Sequence, residues 1–256
     1  MTKSTELAVN EQLPSFIKKD APARGSEEVS SQDVSIPRLS IIQDLSPQRK
    51  KNDDKYIKGA EEGMAFNTAT LELFTGAIGI IPVYFRKEWI IWKDINKGGG
   101  FFGSFNSEQE AVAGMRDLEG NANEYEIVDT HQHFVLLLKE GSTNDNPILE
   151  EAVISCSKSQ MKPSRQLNTL AKMAGGDRFS RRYKLEVVGD ENKAGQSFFN
   201  WKFTGQGYVS EAMFTAAEKS YEAIASGQRT VRQDEPAESS TGQTVDSTAD
   251  TIEDDF

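Results

Sequence analysis

Hydrophobic and polar positions alternate through the middle of this chain and lose any period at both ends. Residues 78–95 (IGIIPVYFRKEWIIWKDI) carry the strongest strand signal, dense in β-branched and aromatic side chains. Pro82 interrupts that run. It has no N–H to give to a ladder, so it belongs at an edge or a bulge. Residues 125–139 predict a second long strand, with a second half apolar enough to be buried on both faces. Shorter strands are expected over 66–74, with a break, and over 151–157, 183–188 and 197–204. The last of these forms a hairpin through the polar turn at 189–195. The period becomes helical in three places. Residues 107–118 start with Ser107 as N-cap and Glu108 and Glu110 in the first turn. Residues 159–174 space Met161, Leu167, Leu170 and Met173 as a helix does, and Gly175-Gly176 closes them. Residues 208–226 are rich in good helix formers.

Uneven antiparallel strands, long turns and inserted helices predict a β-rich α+β protein. The fold expected is an OB-fold-like antiparallel barrel with inserted helices. Three segments follow from the pattern: 1–36 disordered, 37–227 a single folded domain, and 228–256 a disordered acidic tail. Residues 234–256 hold eight acidic residues and no Lys or Arg, too little apolar surface to offset the entropy of ordering.

Charge refines this division. The formal net charge is −11 over 256 residues. With the −8 of the tail and the −2 of residues 1–36 set aside, residues 37–233 are close to neutral at −1. The body's cations therefore have to be read by position and not by total. Cys156 is the one cysteine, which excludes an internal disulfide framework and fits a reducing compartment. The start of the sequence has no basic segment followed by an apolar one, and no apolar run is long enough to span a bilayer. A cytoplasmic protein is expected.

Few catalytic patterns survive inspection. No phosphate-binding loop or dinucleotide fingerprint is present. His131 and His133 stand at i, i+2 with Asp129 on the same strand face. The residue types could hold a metal, but histidines on one face are more often packing or surface groups, and no cysteine pair supports a site. Two S-x-x-K matches at Ser155–Lys158 and Ser159–Lys162 lack the companion motifs of penicillin-recognising enzymes. Cys156, between Ser155 and Ser157, is expected to pack inward. The expectation is a protein that is not an enzyme and carries no cofactor or metal.

What remains is an interleaving of basic and aromatic residues. Arg86, Lys87, Trp89, Trp92 and Lys93 share one strand region, followed by Phe101 and Phe102 beyond a glycine run. Lys158, Lys162, Arg165 and Lys172 mark a strand–helix junction and its helix. Arg178, Arg181, Arg182 and Tyr183 form the densest cluster with Lys184, and Lys202 lies on the last strand. Single strands of nucleic acid are held by cationic grooves in which rings stack on bases. Some rings must serve the core instead. Phe199, Trp201 and Phe203 share a face that is most simply internal, leaving Asn200 and Lys202 outside. Trp89 and Trp92 fall on opposite faces, so one of the two is the candidate for exposure.

The tail ends Ile252-Glu253-Asp254-Asp255-Phe256. A basic-aromatic body followed by an acidic tail closed by Phe resembles the bacteriophage and bacterial single-stranded-DNA-binding proteins. The bacterial ones usually end Pro-Phe, and this chain lacks that Pro. Residues 36–39 and 157–165 are also similar to DNA-binding proteins of tailed phages. The resemblance implies an OB-fold that coats single-stranded DNA during replication, recombination and repair, in the host cytoplasm if phage-encoded. It implies that Glu253, Asp254, Asp255 and Phe256 dock on a replication protein (DNA polymerase, helicase or primase), and that the tail competes with DNA for the basic groove. Self-association is left open and no membrane partner is implied. The competing reading is a protein-interaction module or phage inhibitor that binds no DNA and whose acidic tail docks on a partner or mimics DNA towards it.

Overall fold

The computed structural model describes residues 25, 36–94, 99–116, 118, 122–192 and 195–227. The expectations for the rest of 1–36 and for 228–256, including the docking residues Glu253 to Phe256, lie outside the described residues. Three short strands, β1 (Leu39–Ile41), β2 (Ala65–Asn67) and β3 (Leu73–Phe74), make a small antiparallel sheet in the order β1-β2-β3. The main sheet has six strands: β4 (Ile78–Lys93), β5 (Gly100–Phe105), β6 (Tyr125–Leu138), β7 (Leu149–Ser157), β8 (Arg181–Glu191) and β9 (Ser197–Tyr208). Its order is β7-β6-β4-β8-β9, with β5 paired to the far end of β4. Three helices complete the fold: α1 (Glu108–Arg116), α2 (Met161–Ala174) and α3 (Glu211–Ala225). The β-rich antiparallel α+β architecture expected from the pattern is therefore present.

β4 organises the sheet. It pairs with β6 along nearly all its length, with β8 over Ile78–Ile80 and with β5 over Trp89–Lys93. The register slips between Pro82 and Tyr84, so Val83 is an extra residue and the strand bends there. This is the bulge that Pro82 announces. A bent strand shared by neighbours at its two ends lets the sheet curl, and the two faces acquire different partners.

The inner face buries Ile80, Val135, Leu137, Ile154, Cys156, Leu185, Trp201 and Phe203 against Leu39, Ile41 and Ala65 of the small sheet and Leu167 of α2. The outer face buries Ile81, Val83, Phe134, Leu136 and Val153 against Met213, Ala217 and Ile224 of α3. β6 feeds both cores, which is why Phe134 to Leu138 are apolar at every position. Each large side chain so enclosed contributes about 1.5–3 kcal/mol.

The curled sheet leaves two open edges, and one segment engages both. At β7, Val153 donates its N–H to the Pro37 carbonyl, and Arg38 bridges Val153 in parallel. At β9, the Gln43 side chain stands in for a strand. Its Nε2 donates to the Phe199 carbonyl at 2.8 Å and its Oε1 accepts from the Phe199 N–H at 2.9 Å. The result is barrel-like, wrapped by residues 36–43, with no direct β7–β9 pairing among the described residues.

Ends of helices follow their local chemistry. The Ser107 hydroxyl accepts from the Glu110 N–H at 3.2 Å, while Glu110 accepts from the Asn106 N–H, so the start of α1 is capped as expected. Gly175 ends α2 with φ +70°, a conformation that disfavours a Cβ. One expectation fails in β9: Asn200 is buried and not outward. It donates to the Ser159 carbonyl and to Asp190, and its own Oδ1 accepts from the Trp201 N–H. An amide that meets three partners at a strand–helix junction need not face water.

Candidate functional site

Two polar clusters sit on opposite faces of the same strands, because alternate residues of a strand point in opposite directions. The first lies inside the wrap. His131 and His133 of β6 face α2, where Ser164 is fully enclosed. The Ser164 Oγ lies 2.7 Å from His131 Nδ1 and 2.7 Å from His133 Nε2. Arg178 donates from Nη2 to His133 Nδ1 at 2.9 Å. These contacts fix the protons. Arginine can only donate, so His133 accepts at Nδ1 and carries its hydrogen on Nε2, which donates to Ser164. Ser164 then spends its one O–H on His131 Nδ1. His131 carries its hydrogen on Nε2, facing Asp129 Oδ1 at 4.0 Å. The chain runs one way, from a guanidinium to a carboxylate, through two neutral rings.

Burial holds those rings neutral. The His133 pKa is pushed well below the usual histidine range by desolvation, then by Arg178 and by His131. That of His131 is lowered by desolvation, with Lys87 and Arg165 acting the same way and Asp129 against them. Burial also brings Arg178 down to about 10, still charged at neutral pH. Because these folded-state histidine pKa values are depressed, their stabilisation is complete above the unfolded value near 6.5 and declines as pH falls below it. A histidine that stays neutral when folded should cost about 1.4 kcal/mol between pH 7.5 and 5.5. The urea midpoint is accordingly expected to be lower at pH 5.5 than at 7.5, and equal midpoints would contradict the relay. No group of three or more potential ligands that could hold a metal occurs among the described residues.

The second cluster faces outward, beyond the end of α3. Rows of the register cross three strands: Arg86, Gln132 and Ser155 in one, then Glu88, Thr130 and Ser157, then Ile90 beside Val128, then Trp92 beside Glu126. From Gln132 to the far end this face encloses a cavity of about 130 Å³, with Ile90, Val128 and Trp92 as apolar walls. Thr130, Gln132, Ser155 and Ser157 supply hydroxyls and an amide, and Arg38, Lys93, Lys158 and Glu126 give the lining an excess of positive charge. Buried Glu88 is held by Arg86 at 2.5 Å and accepts from Gln132 Nε2 at 3.4 Å, while Ser155 donates to Gln132 Oε1. The Trp92 ring is braced edge-on by Phe101 at 5.6 Å. An apolar-walled cavity with several converging polar groups is what an aromatic heterocycle requires. A dry cavity of about 150 Å³ takes a benzene ring, so this one admits about one ring.

The basic and aromatic residues singled out in the sequence divide by place. Trp92, Lys93 and Lys158 meet at the cavity with Phe101 behind them, and Phe102 packs on Tyr125, over which Lys93 lies. Arg86 closes the polar row and lies over the Phe134 ring. Lys87 and Trp89 are on the inner-face side, the ammonium 4.3 Å from the ring and paired with Asp129. Both tryptophans are half-buried. Lys162, Arg165 and Lys172 are exposed on α2, and Lys202 is exposed on β9. The dense cluster from 178 to 184 does not form one patch. Arg178 turns inward to His133, and Tyr183 is 2% exposed in the inner core, so its ring is unavailable for stacking. Arg181 covers the Tyr208 ring and Arg182 donates to the Gln206 carbonyl. Lys184 pairs with Glu186.

Arg38, Glu88, Thr130, Gln132, Ser155, Ser157 and Ser164 were not legible as site residues. A signal was present. S-C-S alternates polar with apolar, and T-H-Q-H sets four polar residues in a row in a strand whose next five are apolar, which marks where both faces leave the apolar core.

A family model described as Pam3 phage gp34-like protein matches residues 3–230. No curated protein and no solved structure matches. No helix among the described residues is long and apolar enough to cross a membrane. The family match spans well over half of the chain, so the chain belongs to the Pam3 phage gp34-like protein family.

Proposed function

We propose that this protein binds single-stranded DNA, in a barrel of the oligonucleotide-binding type, during phage DNA replication, recombination and repair. The strand path supports the reading. β4, β6 and β7 form an antiparallel meander, α2 follows, and the β8–β9 hairpin returns to pair with the first strand. In such five-stranded, partly open barrels the face of the second and third strands takes oligonucleotides. The observation that carries the proposal is the cavity's position on that face of β6 and β7, with Trp92 as one wall and cations at its rim. A base enters beside Trp92 and meets the Thr130, Gln132 and Ser157 groups, and its phosphates lie toward Lys158 and Lys93. On this reading the acidic segment 234–256 recruits a replication protein and competes with DNA for these cations, as its charge allows.

Titration with oligo-dT at two salt concentrations tests this. Binding is expected at micromolar Kd or tighter in low salt, falling steeply as salt rises. Absence of binding at low salt would overturn it. The same titration on a chain ending at residue 233 should show tighter binding at low salt, and an unchanged Kd there rules out competition by the tail.

A further inference from the structure

The cavity accounts for Lys158 and Lys93 but leaves the cations of α2 without a role. That helix has two opposite stripes. Ser164, Leu167 and Ala171 are buried on the barrel, while Lys162, Arg165, Thr169 and Lys172 are exposed along the other side. The exposed positions advance by three, four and three residues, so they form one line. Over the helix rise of about 1.5 Å per residue it is about 15 Å long. No carboxylate occurs in α2, and none of the three cations forms an ion pair among the described residues. Lys162 also stands in the first turn, where the helix macrodipole is already positive and a carboxylate is the residue that helps folding. The Asp190 carboxylate, on which Lys162 acts without forming an ion pair, offsets this only in part.

The line follows the cavity in the chain, round the end of β7 from the outer face to the side where α2 packs. Lys158 lines the cavity's rim and opens the single turn Lys158–Gln160 that runs directly into α2. We infer that α2 is a phosphate track, along which a single strand leaving the cavity passes Lys158 and then lays its backbone on Lys162, Arg165 and Lys172. This rests on the single-strand-binding reading and extends it to a second surface, sequence-independent and without stacking. Thr169 turns its hydroxyl back to the Arg165 carbonyl. The relay through Ser164 anchors the opposite stripe to the barrel, so the track is fixed relative to the cavity.

The test is the variant Lys162→Gln/Arg165→Gln/Lys172→Gln, titrated with oligo-dT of about 4 and about 16 nucleotides at several salt concentrations. Each phosphate contact on a single strand contributes about 0.7 to the slope of log K against log salt, so three lost contacts should lower the slope by about 2 for the long strand. The short strand, held by one base in the cavity and with few phosphates beyond Lys158, should lose much less of its slope. Lys162→Arg/Lys172→Arg should keep the long-strand slope too, which separates charge from side-chain identity. An unchanged long-strand slope in the triple variant, with Trp92→Ala still weakening both strands, overturns the track and leaves the binding reading standing. The tail would then be the candidate occupant of the helix. Failure of the wild-type chain to bind either strand overturns both.

Discussion

Ser164→Ala should be among the most destabilising single substitutions in this protein. The hydroxyl it removes accepts from His133 and donates to His131 in a site closed to water. Alanine leaves two imidazole nitrogens buried without a partner, and each such group costs about 1–3 kcal/mol. The sum is about 2–6 kcal/mol, a urea midpoint lower by roughly 1–2 M for a domain of this size. Charging is opposed at His133 by burial and by Arg178 at hydrogen-bond distance, and at His131 by burial, against which the Asp129 carboxylate acts. Thr169→Ala on the exposed side of the same helix removes a hydroxyl that only returns to the helix's own carbonyl, and should stay within about 0.5 kcal/mol. Equal midpoints for the two variants would show that the Ser164 bonds are not what holds α2 to β6.

The relay shows where a sequence can and cannot be read. That His131, His133 and Asp129 share a face follows from strand alternation. That the face is internal depends on which element comes to cover it, and the covering residue, Ser164, lies on another element altogether. Only the curl of β4 at Val83 and the placement of α2 bring them together. The long strands, the three helices, the Ser107 cap, the bulge at Pro82 and the inward Cys156 were local matters, settled by period, propensity and the missing N–H of proline. Cys156 is fully buried and its thiol is pushed up to about 12 by desolvation, as an inert packing group should be. The wrap itself was beyond such reasoning, since a glutamine amide replaces a strand at Phe199. So was the fate of the basic run 178–184. Its residues are adjacent in sequence, but a strand and the turn before it send them to the core, to Tyr208 and to Glu186.

Charge along the chain also changes meaning in three dimensions. Of the cations on or near the outer face, Arg86, Lys93 and Lys158 hold carboxylates, Glu88, Glu124 and Glu126. The exposed Lys158–Glu126 pair is weak, and a phosphate can take the place of Glu126, whereas Glu88 is buried and keeps Arg86 engaged. The α2 cations form no ion pair among the described residues, though Lys162 acts on Asp190 from a distance. Loosely paired charges at the cavity and unpaired ones along the helix make a gradient toward α2, which a flexible polyanion would follow.

Trp92→Ala is expected to weaken oligo-dT binding by roughly 5- to 150-fold, the equivalent of about 1–3 kcal/mol for one stacked base. The sequence leaves open which tryptophan is available, because Trp89 and Trp92 point to opposite faces. The structure separates them by company. Trp92 forms a cavity wall with hydroxyls and an amide across from it, while the Trp89 ring is covered by the Lys87 ammonium. A base approaching Trp89 must first displace a cation that already pairs with Asp129. Trp92→Phe keeps a flat ring braced by Phe101 and should retain most of the affinity, whereas Trp89→Ala should change it little. Intrinsic fluorescence of the two single-tryptophan-substituted chains reads this directly, since quenching by oligo-dT should persist in Trp89→Ala and be largely lost in Trp92→Ala. The reverse pattern would move the binding face to the inner side of β4, beside the relay, and would make the outer cavity a feature of packing alone.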